Sequence, residues 1–163
     1  MRPIRRISWL AVIMAGCHAG EPERVEAPAD AEAGTIAIEW AGANQAALLV
    51  PVHINGNGPY RFVLDTGATL TCVENELAAE LELPEPAGQI AVGAGVAEAS
   101  QMRLVTIDSL RVGEARAEGL PACAIDLGAA GRIGLELDGL LGLNFLRSFH
   151  LEIDFENDQV ILE

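Results

Sequence analysis

The residues of this chain that could do chemistry are concentrated in one stretch, Phe62 to Thr69, where an apolar run ends in Asp65-Thr66-Gly67. A carboxylate at the end of a buried strand needs hydrogen-bond donors that face it. Gly67 lets the chain fold back so that backbone N–H groups approach Asp65, and Thr66 offers a hydroxyl to a neighbouring strand. We predict that these three residues form a catalytic group centred on Asp65. The alternative is that Asp65 only caps a turn.

Two other segments give this stretch a context, because Val50 to Gly56 precedes it and Asp138 to Leu146 follows it near the end of the chain. Together the segments resemble the retropepsin-like aspartic proteases, above all the single-domain bacterial members, over nearly everything from Ile36 to Glu163. The resemblance implies an all-β fold with one or two short helices, built as a closed antiparallel β-barrel. It also implies that Leu140-Leu141-Gly142 crosses beneath the Asp65 loop, supports it and begins a short helix.

The composition favours one turn-rich β domain. The chain has 163 residues, half of them hydrophobic, which is enough for one core. Aromatic residues are only 4%, so aliphatic side chains must fill this core, and the 17 glycines indicate many turns. The net charge is -14 and lysine is absent, which excludes nucleic acid as an expected partner because phosphate binding needs a basic surface.

The first residues have the features of an export signal. Three arginines precede the apolar segment Ile7 to Ala15, which is much shorter than the roughly 20 residues that cross a bilayer as a helix. The ending Ala15-Gly16-Cys17 resembles the lipobox of bacterial lipoproteins. It implies a signal peptide over residues 1–16 and lipidation of Cys17, whereas the alternative is an ordinary signal peptide with an incidental cysteine.

A stretch without apolar periodicity follows the signal. Glu21 to Gly34 is rich in Ala, Pro and Glu, which predicts a disordered acidic tether. We therefore divide the chain into a lipidated tether over residues 17–34 and a protease domain over residues 35–163. This domain is expected to be membrane-anchored in the bacterial cell envelope and to face the periplasm.

Alternation of apolar and polar residues predicts the strands that position Asp65. The turn signal Asn55-Gly56 predicts a hairpin that fixes Asp65 at the end of a strand. Strands are expected over residues 35–40, 47–54, 60–64, 104–112, 119–127, 150–155 and 159–162, and a helix over residues 74–83.

The glycine-rich segment over residues 90–96 predicts a hairpin with Gly93-Ala94-Gly95 at its tip. The resemblance makes this hairpin the flap that closes over an extended peptide, so that its tip and Ala68 would contact the substrate. A dinucleotide-binding loop is excluded because no glycine stands three residues after Gly95 and no helix pattern follows. A plain hairpin turn remains the alternative.

Catalysis of this type needs two neighbouring carboxylates that share one proton. Asp126 and Asp138 are followed by nearby glycines but lack the Asp-Thr-Gly order, so the sequence holds no second copy of the motif. The second carboxylate is therefore expected from Asp65 of another chain, in a two-fold symmetric homodimer whose loops Thr66 would bridge. The ion pair of viral members at this contact is absent here, where Leu70 and Leu143 stand.

The predicted function is an aspartic endopeptidase that acts on peptide or protein substrates without a cofactor. His18, His53 and His150 have no ligand spacing, so no metal site is expected. Cys72 and Cys123 either form a disulfide or remain buried thiols. Two other functions stay open, namely a catalytically silent module that captures peptides by strand addition, and a structural envelope lipoprotein.

Overall fold

The computed structural model of the chain describes residues 34–86, 102–128 and 135–163. The predicted signal peptide, Cys17, nearly all of the tether and the hairpin tip Gly93-Ala94-Gly95 lie outside these ranges. Among the residues that the structure describes, no helix combines the length and the apolar character needed to cross a membrane.

The described residues form ten strands and two short helices, which confirms the predicted β class. The helices are α1 (Asn75–Glu80) and α2 (Leu143–Leu146). The strands are β1 (Thr35–Ala37), β2 (Glu39–Ala41), β3 (Ala47–Ile54), β4 (Asn57–Leu64), β5 (Thr71–Glu74), β6 (Arg103–Val112), β7 (Ala115–Ile125), β8 (Gly139–Leu141), β9 (Leu151–Asp154) and β10 (Gln159–Leu162).

The larger sheet closes on itself as a barrel. Its seven strands follow the order β2-β3-β4-β8-β5-β7-β6, and β6 also pairs with β3. Six strands therefore form the closed barrel, and β2 extends it on one side. The remaining strands form a separate three-stranded sheet in the order β1-β10-β9. Closure of the barrel agrees with the prediction.

The barrel is mixed rather than purely antiparallel, because β4 pairs with β8 and β5 pairs with β7 in parallel, whereas its other neighbouring strands are antiparallel. Strands joined by tight turns must run in opposite directions, as β3 and β4 do, and β6 and β7. The two parallel pairs instead join strands that are separated by other elements of the chain, and such a connection is long enough to bring the second strand back in the same direction.

Most predicted elements have different bounds in the structure, and only the strands over residues 47–54 and 159–162 match. β4 begins at Asn57 instead of residue 60, β7 spans Ala115–Ile125 instead of 119–127, and β5 and β8 are not among the predicted strands. The strand expected over residues 35–40 divides into β1 and β2, because Ile38 donates its N–H to the Asp158 carbonyl, 3.0 Å away, and the chain changes sheets there. The helix expected over residues 74–83 ends at Glu80. Glu82 then adopts a left-handed φ of 49°, which cannot continue a right-handed helix.

The two cysteines of the barrel lie opposite each other in the parallel pair of β5 and β7. The Cα atoms of Cys72 and Cys123 are 4.4 Å apart and their sulfurs form a disulfide. Of the two alternatives that the sequence left open, the structure therefore has the disulfide. It connects the strand that follows the Asp65 loop to its neighbour in the barrel.

Candidate active site

Asp65 follows the last residue of β4 and begins a tight turn. Its N–H donates to the Leu141 carbonyl at 3.0 Å, and its own carbonyl accepts from Ala68 N at 3.3 Å. The Gly67 N–H donates to the Asp65 carboxylate at 2.8 Å, so a backbone donor faces the carboxylate as the sequence predicts. A Cβ at position 67 would lie 3.2 Å from Oδ1, and glycine suits this close approach.

The turn presents its polar groups to the surface of the single chain. Asp65 and Ala68 are half-buried, whereas Thr66 and Gly67 are exposed. Within the described ranges the Thr66 hydroxyl makes no hydrogen bond, so the predicted bond to a neighbouring strand is absent from this part of the chain. The loop thus leaves a carboxylate and a hydroxyl free to meet another molecule.

The segment Leu140-Leu141-Gly142 lies against this loop. Two bonds join the loop to the start of α2, from Leu143 N to the Ala68 carbonyl at 2.8 Å and from Asn144 N to the Thr69 carbonyl at 3.1 Å. Gly142 is buried and precedes α2 as its N-cap. The structure therefore brings the predicted supporting segment and the Asp65 turn together, with a short helix directly after it.

A pair of polar side chains that the sequence analysis did not single out fixes this junction. Thr71 is fully buried, and its hydroxyl donates to Asn144 Oδ1 at 2.9 Å while accepting from Gly142 N at 3.1 Å. The Thr71 N–H also donates to Asn144 Oδ1, at 2.8 Å, and Asn144 Nδ2 donates to the Pro121 carbonyl at 2.6 Å. The pair joins the end of the Asp65 loop to the Gly142 backbone and to β7.

A sequence signal for this pair does exist. Thr71 is the first residue of β5 and is flanked by the apolar residues Leu70 and Cys72, which indicates burial, and a buried hydroxyl needs a partner. The signal does not say which residue supplies that partner, because Asn144 is 73 positions away.

Asp138, which lacks the catalytic sequence order, has a structural role. Its carboxylate accepts from Arg61 N at 2.6 Å, and its N–H donates to the Arg61 carbonyl at 2.9 Å. Its carbonyl accepts from Glu74 N at 2.8 Å. Asp138 therefore sets the position of β8 between β4 and β5, and so the position of the segment beneath the loop.

Replacing Thr71 with valine is expected to lower the free energy of unfolding by about 2 kcal/mol, because the shape is kept while the buried Gly142 N–H loses its acceptor. The measurement is the midpoint of urea denaturation. Thr106→Val is the matched control, since Thr106 is half-buried on β6 and its side chain makes no hydrogen bond in the described part of the chain. Equal effects of the two substitutions would show that the Thr71 hydroxyl contributes nothing.

The histidines are not gathered at this loop. His53 lies on β3 and His150 directly before β9, whereas His18 is outside the described residues. Within the three described ranges, no group of three or more His, Cys, Asp or Glu side chains is arranged to hold a metal ion.

Comparison with known proteins agrees with this geometry. A family model described as aspartyl protease matches residues 50–145. A crystal structure of a retropepsin-like aspartic protease from Rickettsia conorii is similar, with a TM-score of 0.50 and 21% identity over 78% of this chain and 86% of that one. The retroviral protease-like domain of Ddi1 from Leishmania major has a TM-score of 0.45 and 18% identity, over 72% of this chain and 94% of that one. No curated protein matches the chain.

The matched residues include the Asp65 turn, the segment beneath it and both members of the Thr71 and Asn144 pair. They cover more than half of the chain, and the barrel has the retropepsin-like fold of the Rickettsia enzyme. The chain belongs to the aspartyl protease family.

Proposed function

We propose that the protein is an aspartic endopeptidase whose active site is assembled from the Asp65 turns of two chains. The observation that carries this proposal is the turn itself, in which the half-buried Asp65 carboxylate accepts from Gly67 N while the exposed Thr66 hydroxyl has no partner among the described residues. One such turn supplies one carboxylate, and the sequence contains one Asp-Thr-Gly. A second chain related by a two-fold axis would supply the other.

The surface beside the turn supports a contact of this kind. Leu143 donates its N–H to the Ala68 carbonyl, and the residue is 39% exposed. An apolar side chain exposed next to the loop would be covered when two chains meet on the axis. This contact would take the place of the ion pair found in viral members.

The proposed chemistry follows from two adjacent carboxylates that share one proton. The ionised carboxylate takes a proton from a water held between the two, and the water attacks the peptide carbonyl. The protonated carboxyl gives its proton to the carbonyl oxygen, where negative charge develops. The carboxyl that took the water proton then gives it to the amide nitrogen, the other carboxylate takes a proton from a hydroxyl of the tetrahedral intermediate, and the C–N bond breaks to release the amine and the carboxylic acid. No covalent bond to the protein forms.

The substrate in this proposal is an extended peptide. It would lie along Ala68 beneath the predicted hairpin tip Gly93-Ala94-Gly95, with its backbone paired as an added strand. Lipid attachment at Cys17, on the periplasmic face of the envelope, would hold the chains on one membrane surface. That arrangement would raise their effective concentration and favour the dimer.

The test combines sedimentation of the full chain with a peptide-library cleavage assay of the wild type and Asp65→Asn. We expect dimers and sequence-selective cleavage from the wild type, and dimers without cleavage from the variant. Peptide binding without turnover in either protein would identify a binding module instead. The absence of both binding and cleavage would favour a structural lipoprotein.

A further inference from the structure

A cleft lies at the end of the barrel remote from Asp65. It adjoins the turn between β3 and β4, so the length of β4 separates it from the catalytic loop, roughly 26 Å of extended strand. Its volume is about 380 Å³, within the range of sites for small molecules. Its lining includes His53, Asn55, Asp108, Ser109, Arg111 and Arg116.

The charge of this cleft departs from that of the whole chain, which carries -14. Arg111 and Arg116 are direct partners across β6 and β7, and like charges in opposite positions destabilise a sheet. Arg116 is paired with Glu118, 2.5 Å from its Nε. Arg111 has no acidic partner in the described ranges, and its Nη1 donates only to the Gly113 carbonyl at 3.1 Å. A bound anion would remove the repulsion between the two guanidinium groups.

Uncharged donors in the lining are also available. Asn55 Oδ1 accepts from Ser109 N at 2.9 Å, which orients the amide and leaves Nδ2 without a partner among the described residues. The Ser109 hydroxyl makes no hydrogen bond there either. Nδ1 of His53 is buried and has no hydrogen-bond partner within the described ranges. Burial and the positive charge of Arg111 lower the pKa of His53, so a neighbouring anion would act in the opposite direction.

We propose that this cleft binds a small oxyanion, a carboxylate or phosphate group, between Arg111 and Arg116 with Ser109 as an additional donor. Guanidinium groups bind such anions through paired hydrogen bonds, and a hydroxyl completes the coordination. Asp108 is the one acidic residue of the lining. Because it is exposed, its negative charge repels the anion from the solvent side. The site is separate from the proposed peptide groove.

The test is titration of the full chain with inorganic phosphate and, separately, with acetate at constant ionic strength, followed by NMR of the His53 ring. We expect saturable binding of at least one anion, with a rise in the pKa of His53. Arg111→Gln should raise the Kd for the anion about tenfold. Arg147→Gln is the matched control, since Arg147 is an exposed arginine at the end of α2, and it should leave the Kd unchanged.

Asp108→Asn separates an anion site from a cation site. Removal of the opposing carboxylate should tighten binding of phosphate or acetate severalfold, whereas a site for a cation would be weakened. Saturation by phosphate alone or by acetate alone identifies the oxyanion. The proposal is overturned if neither phosphate nor acetate saturates the site, or if Arg111→Gln leaves the Kd unchanged. It is also overturned if the two arginine variants lose affinity equally, or if Asp108→Asn binds the anion more weakly. All three substituted residues are exposed, so the variants should fold.

Discussion

Asp65→Asn is expected to lower the turnover number for peptide cleavage about a thousandfold while leaving the fold intact. Asparagine has the shape of aspartate, and its carbonyl oxygen can still accept the Gly67 N–H that now lies 2.8 Å from the carboxylate. The turn should therefore persist. What is lost is the group that accepts and returns a proton, and acid–base catalysis contributes about 10² to 10⁴ in rate.

The matched control for this variant is Asp126→Asn. Asp126 also accepts the N–H of the glycine two positions later, Gly128, at 2.7 Å, so it makes the same carboxylate–backbone hydrogen bond outside the Asp-Thr-Gly order. We expect this control to keep most of its turnover, with both variants melting within a few degrees of the wild type. A similar loss in both, or normal turnover in Asp65→Asn, would assign catalysis to other residues.

Gly142→Ala is expected to cost about 4 kcal/mol of folding free energy, or to prevent folding. Gly142 has φ -94° and ψ 177°, which any residue can adopt, so the cost does not come from its backbone conformation. It comes from space, because a Cβ would overlap the backbone atoms of Leu70 and Thr71. Backbone atoms between the Asp65 loop and β5 cannot move aside as the end of a side chain can.

The midpoint of urea denaturation measures this effect, and Gly119→Asn serves as its control. Gly119 is exposed with a left-handed φ of 57°, and a Cβ there would meet nothing within 4 Å. Asparagine tolerates this conformation, so a loss below about 1 kcal/mol is expected. If Gly142→Ala were as mild as the control, the segment beneath the loop would not be closely packed against it.

Local pattern was sufficient to predict most elements of this fold, but not the short strands β5 and β8, and it did not specify all of the strands' partners. The Asn55-Gly56 turn predicts the hairpin of β3 and β4 because its strands are adjacent in sequence. The parallel pairing of β4 with β8 depends on strands far apart in the chain, and apolar periodicity is the same for either direction. The division of the first strand at Ile38 depends on a distant acceptor, the Asp158 carbonyl.

The candidate site shows the same division between local and distant information. The Asp65 turn is built from neighbours, since Gly67 supplies the donor, and it could be predicted from three residues. Thr71 and Asn144 act on that turn from positions that only the folded barrel brings together. The second carboxylate is expected from another molecule, and a single chain holds one half of such a site.

The most direct test of the account is the activity of mixed dimers. Wild-type and Asp65→Asn chains with different tags are co-expressed at varied ratios, and purification through both tags verifies that mixed dimers form. If each site needs Asp65 from both chains, cleavage at fixed total concentration falls as the square of the wild-type fraction, to about one quarter at equal mixing. Activity that falls in simple proportion, to about one half, would show that one chain provides the whole site.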